Sequence, residues 1–139
     1  MASFVKFNQF VEDIAKGVHN LSTGAITVAL CNAANAPVAS NTVLANLTQI
    51  SYTNLSSRLC TTSSCAQTSG TLKLILNDLV LTASGTVAAF RYVVFYNDTP
   101  TSPADPLIGF YDYGSDLTLS NGETFTIDLD NTNGLLTLA

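Results

Sequence analysis

A chain of 139 residues with net charge −5, 47% apolar and only 11% charged side chains fits one domain with a core of its own. Its charged share is less than half the roughly 25% usual in soluble domains, and its five basic residues are scattered, which excludes the basic footprint of a nucleic-acid binder. No apolar run reaches the ~20 residues of a membrane-spanning helix, and Met1–Lys6 lacks the basic start and apolar stretch of a secretory signal.

Thr, Ser and Asn fill most polar positions, a bias toward strands and turns. High apolar content with little charge implies that part of the exterior is covered by other chains. The expectation is a homo-oligomer, with a trimer favoured, or a lattice.

The first element is a helix over 3–18. Phe4, Phe7, Phe10, Val11, Ile14 and Val18 recur at steps of three and four, with Lys6, Gln9, Glu12, Asp13 and Lys16 opposite. Ser3 suits the N-cap and Gly17 the stop. The simplest reading lays this helix across a sheet. The sharper one makes Phe4, Phe7 and Phe10 an arm on a neighbouring subunit.

Residues 25–30 alternate as a strand, 32–42 form a loop of small residues, and 43–47 and 49–52 are short strands or turns. The stretch 53–70, which carries Arg58, reads as a long connection of the kind that often binds. Two apolar runs follow, 72–81 and 87–96. The small residues Thr82–Thr86 between them predict a hairpin. In the second run Phe90, Tyr92, Val94 and Tyr96 share one face, and Arg91, Val93 and Phe95 the other. Both faces are largely apolar, so this strand should be central and covered on each side. A proline-stiffened loop over 98–106 precedes a strand at 107–113. Asn121-Gly122 and Asn133-Gly134 then predict a terminal meander through 117–119, 124–129 and 135–138, with Phe125, Ile127 and Leu129 inward. The fold class is mainly β: one antiparallel β-sandwich domain, 1–139, with an N-terminal helix.

Chemistry-bearing residues are few. His19 stands alone, without a nucleophile elbow or an evident Cys partner, and reads as a cap or surface residue. Asp112, Asp116 and Glu123 flank an aromatic turn and match a glycosidase pair only in composition. Glycan stacking lacks its best platform, since the chain has no Trp. Asp128–Gly134 looks superficially like a calcium loop, but its Gly falls one place late and no acid closes it. Cys31, Cys60 and Cys65 have no histidine nearby for zinc. Cys31 should be buried beside its strand. Free thiols are the default, with a Cys60–Cys65 disulfide the alternative. The expectation is no enzyme, no catalytic residue, no metal and no cofactor.

Several blocks, taken together, resemble a family of small virion structural proteins of tailed bacteriophages. They are Phe7-Asn8-Gln9-Phe10-Val11-Glu12, Gly17-Val18-His19-Asn20-Leu21, Tyr52-Thr53-Asn54-Leu55-Ser56-Ser57-Arg58, Phe90–Asp98 and Tyr111-Asp112-Tyr113-Gly114-Ser115. The resemblance spans nearly the whole chain and implies a capsid decoration (cement) protein, made in the host cytoplasm and displayed on the virion. Its partner would be the major capsid protein, with neither nucleic acid nor membrane bound. A tail or head–tail protein is the alternative, followed by a carbohydrate-binding module. The expected contact residues are Phe4, Phe7, Phe10 and Arg58.

Overall fold

The computed structural model describes residues 2–139. It is mainly β, with several antiparallel sheets and one helix near the N-terminus. The elements are β1 (Val5–Lys6), α1 (Asn8–Ala15), β2 (Ile26–Cys31), β3 (Thr62–Thr68), β4 (Thr71–Leu76), β5 (Leu79–Thr82), β6 (Phe90–Asn97), β7 (Leu107–Leu117), β8 (Thr124–Ile127) and β9 (Leu136–Leu138). Among the described residues these form a four-stranded sheet ordered β1-β7-β6-β2, a three-stranded sheet β3-β4-β9 and a two-stranded sheet β5-β8.

The main core lies between the four-stranded sheet and the other two. Val28, Leu30, Val93, Phe95 and Ile108 on one side meet Leu74, Leu76, Leu81 and Ile127 on the other. A second core covers the opposite face of the four-stranded sheet. There Phe7, Ala29, Cys31, Tyr92, Val94 and Tyr96 pack together beneath Leu44 and Leu47 of the 32–52 loop. β6 is therefore central and covered on both sides, as its doubly apolar pattern requires. One assignment within it changes. The register shifts between Phe90 and Tyr92, so Phe90 joins Val93 and Phe95 in the main core. A bulge re-aims the side chain that precedes it.

The helix is shorter than its periodicity predicts. Val5 and Lys6 pair with Phe110 and Gly109 of β7, and Phe7, in extended conformation, caps α1 in place of Ser3. Strand pairing at the sheet edge overrides helical spacing here. The predicted stop holds: Gly17 has φ 74°, with Gly17 N donating to Ile14 O and Val18 N to Asp13 O, a Schellman closure.

Two hairpin predictions fail. β5 and β6 do not pair; β5 pairs with β8, and β6 lies between β2 and β7. The terminal meander is likewise absent, because β8 pairs with β5 and β9 with β4. A two-residue type I′ turn needs positive φ at both central positions, whereas only Gly122 and Gly134 have it, not Asn121 or Asn133. The 130–134 turn is closed instead by Asp130, whose carboxylate accepts from Thr132 N, Asn133 N and Asn133 Nδ2. Phe125, Ile127 and Leu129 do point inward, from strands whose partners lie elsewhere in the chain.

The predicted 53–70 loop is half strand. β3 pairs with β4 through a tight turn at Ser69-Gly70, φ 51° and 84°, the type I′ geometry absent from the two Asn-Gly sites. No helix among the described residues is long and apolar enough to cross a membrane.

Candidate functional site

The four expected contact residues separate. Phe7 and Phe10 are buried within the chain, Phe7 against Phe110 and Phe10 against His19. Phe4 is half-buried, its ring against Phe95 and Tyr111. Phe7 and Phe10 thus serve the chain's own cores, and side chains without accessible surface cannot meet a neighbour, whereas Phe4 keeps part of its ring accessible. Phe4 and Phe10 border one groove beside Lys6 and Leu136, and Arg58 lines a separate and larger one.

That groove follows from how the 53–61 segment closes the sheet. β2 is an edge strand, and its free side is covered by residues 58–60: Val28 N donates to Arg58 O at 2.9 Å and Cys60 N to Ile26 O at 2.9 Å. Covering an edge in this way removes a template for unwanted strand pairing. It also alternates side chains, sending Cys60 into the main core and leaving Leu59 exposed.

Arg58 lies back across β2, where its Nη1 donates to Val28 O. Its guanidinium stacks 3.6 Å from the centre of the Tyr52 ring, a cation–π contact. The Tyr52 hydroxyl is itself fixed, accepting from Leu30 N at 2.9 Å and donating to Gln49 Oε1 at 2.6 Å. Burial pushes the Tyr52 and Tyr96 phenols up, and the Arg58 charge beside both opposes the shift. The resulting groove, about 510 Å³, is lined by Tyr52, Leu55, Arg58, Leu59, Tyr96 and Asp98 among others. Among the described residues Arg58 has no carboxylate within ion-pair distance. The groove therefore offers an oriented cation, two phenols and a mixed rim of Leu55, Leu59, Ser56, Ser57 and Asp98.

The other candidates are occupied by structural bonds. Asp112 receives a two-point contact from Arg91, 2.7 and 3.0 Å, which holds its carboxyl below the usual range, aided by Gly114 N. Asp116 accepts from Ala33 N, and Glu123 from Ser120 N. The aromatic turn does not converge these three acids on a shared ligand. Among the described residues no group of three or more His, Cys, Asp or Glu side chains is placed to hold a metal ion.

Cys31, Cys60 and Cys65 are free thiols. Cys31 is buried at the end of β2, and burial pushes its thiol to about 11 and that of Cys60 to about 12.

His19 departs most from its predicted setting. It is buried, not a surface cap, with Nδ1 3.3 Å from Asn97 Nδ2. Its Nε2 and the nearby Asp13 Oδ2 have no hydrogen-bond partner.

Sequence reasoning missed Tyr52, Leu59 and Tyr96 as partners of Arg58. Tyr52 carried a signal, since it opens the short stretch Tyr52–Arg58 that Arg58 closes. The Tyr96 contact depends on long-range pairing. No protein-family model, no curated protein and no solved structure matches this chain.

Proposed function

We propose that this chain is a structural component of a phage virion, a decoration protein that binds the major capsid protein on the outer shell and stabilises it by protein–protein contact. The observation that carries this reading is the Arg58 groove. An arginine that makes no ion pair among the described residues, in a groove with Tyr52, Tyr96 and Asp98 and beside the exposed Leu59, has the composition of an interface centre, where Arg and Tyr are enriched. The resemblance of the sequence blocks to small virion proteins supports the same reading. An acidic chain is repelled by packaged DNA, which favours the outer face over the lumen. Repeated weak contacts on one lattice would reinforce one another, and a homotrimer would multiply them further.

Cryo-electron microscopy of the virion that carries this chain tests the proposal. Density for the fold repeated over the head faces, with Arg58 and Leu59 against the capsid protein, is the expected result. A single ring at the neck, or density confined to the tail, would move the chain to the tail or head–tail reading.

A further inference from the structure

A second groove, on the β7–β8 side, has the opposite chemistry. It measures about 190 Å³ and is lined by Val93, Tyr111, Tyr113, Phe125, Ile127 and the acidic residues Asp128 and Asp130. Drug-sized ligands occupy pockets of roughly 300–1,000 Å³, so this one suits a single side chain.

Its aromatic walls are preset. Tyr113 and Phe125 meet edge to face at 5.4 Å and 88°, and Tyr111 is held by Phe4 and Phe95 at 5.3 and 6.0 Å. Tyr113 nevertheless keeps 53% of its surface exposed, more than core packing alone would leave. Asp128 is exposed and makes no ion pair among the described residues. Asp130 is kept ionised by the bonds it receives from Asn133 and Thr132. Among the described residues no basic side chain lines the groove, which Ala2 also borders.

We propose that this groove takes a lysine or arginine side chain of a partner protein, the aliphatic stem on Phe125 and Ile127 and the cationic head between the tyrosine rings and Asp128. The requirements of such a side chain are an apolar channel, ring faces for the cation and an unpaired carboxylate. The chain's own cations are mostly committed: Arg58 to Val28 O, Lys73 to Thr132 O, Lys16 to Glu12 and Arg91 to Asp112. Lys6 is the one lysine or arginine without such a bond among the described residues, and the acidic groove suits a cation supplied by a partner protein. The inference does not depend on the virion reading.

The test is an NMR titration of the isotope-labelled chain with acetyl-Gly-Lys-Gly-amide, its norleucine and glutamate counterparts, and a methyl hexoside. The lysine peptide should shift the amide signals of Val93, Tyr111, Tyr113 and residues 125–130, more weakly at high salt. Norleucine should bind at least about fivefold more weakly, and Asp128→Asn or Tyr113→Ala should weaken the lysine peptide by a similar factor. Norleucine or glutamate matching lysine, shifts elsewhere on the protein, or no shift at any peptide concentration reached would overturn the proposal. A hexoside that perturbs the same signals more strongly would overturn it in favour of a glycan site.

Discussion

The Phe4 ring rests on the backbone of Gly109, so closely that a Cβ at that position would lie 2.2 Å from Phe4 Cζ. Gly109 pairs with Lys6 of β1 and Phe95 of β6, so no backbone shift can relieve the clash without opening the sheet. Gly109→Ala should displace the ring and loosen β1, costing about 1–3 kcal/mol as overpacking does. In a Phe4→Ala background the same substitution should cost far less, because the clashing atoms are gone. Urea denaturation of the parent, the two single variants and the double variant gives the coupling energy. Additive effects would mean that Phe4 and Gly109 do not share this contact.

The thiols should react in an order set by burial. Cys31 and Cys60 are buried, their thiols raised to about 11 and about 12, whereas Cys65 is only partly buried. Iodoacetamide at pH 8 should therefore alkylate Cys65 first in the native protein and all three in urea, read by mass spectrometry. Because the folded values of Cys31 and Cys60 lie above the unfolded one, their contribution to stability persists below about pH 9 and declines as pH rises toward the folded values. Cys60→Ser places a hydroxyl in the main core and should cost about 1–3 kcal/mol. Cys65→Ser, on the partly exposed edge strand β3, should cost little.

His19 sets a second pH window, of opposite sense. Burial lowers its pKa from the ordinary 6.5, with Asp13 opposing. The unfolded chain therefore binds this proton before the folded one. Stability should hold above about pH 6.5 and fall as pH drops below it, at no more than about 1.4 kcal/mol per pH unit. His19→Gln should remove that slope in thermal melts between pH 7.5 and 5. The lowered carboxyls of Glu12, Asp112 and Asp130 lose their contributions only at more acidic pH. A slope unchanged in the variant would assign it to other groups.

What the sequence made legible follows the range of the interactions. The doubly apolar pattern of 90–96 is local, and it identified the central strand correctly. The alternation at 124–129 likewise gave the buried face of β8. Strand partners were not local. Asn-Gly is a strong hairpin signal, yet Gly134 packs where a Cβ would lie 2.5 Å from Leu74 O, so this glycine serves close approach to β4 as well as the turn. β3 escaped notice because Thr-Ser-Ser-Cys-Ala-Gln-Thr has neither apolar alternation nor strong strand propensity. Its pairing with β4 and the turn at Ser69-Gly70 hold it in place. Arg58 was legible as a loop arginine, but its groove is completed by Tyr96, which only the folded sheet brings near.

The Ser69-Gly70 turn offers a test by stabilisation. Both residues have positive φ, and the first position of a type I′ turn prefers Asn over Ser. Gly70 has open space around a would-be Cβ, so backbone conformation, not crowding, governs the site. Ser69→Asn should raise stability by a few tenths of a kcal/mol, measured as a small increase in Tm, and Gly70→Ala should lower it by about 1 kcal/mol or more.

Mapping the proposed capsid contact requires variants that leave the fold alone. Deleting residues 1–8 does not qualify. It removes the half-buried Phe4 and the fully buried Phe7, and loss of a buried Phe side chain alone costs about 3–5 kcal/mol. A truncated chain that fails to bind would report unfolding. Leu59→Asp is cleaner, because Leu59 is exposed beside Arg58 and its backbone position on β2 is unchanged. Its stability should stay within about 0.5 kcal/mol of the parent, as for other surface substitutions, while a new charge at an apolar contact weakens attachment. Arg58→Ala should weaken attachment too, with a stability loss of about 1–2 kcal/mol from the lost bond to Val28 O and the stacking on Tyr52. Co-sedimentation with capsids, beside circular dichroism melts, separates the two effects. If Leu59→Asp and Arg58→Ala both coat capsids at parental occupancy, the contact lies on another face of the protein.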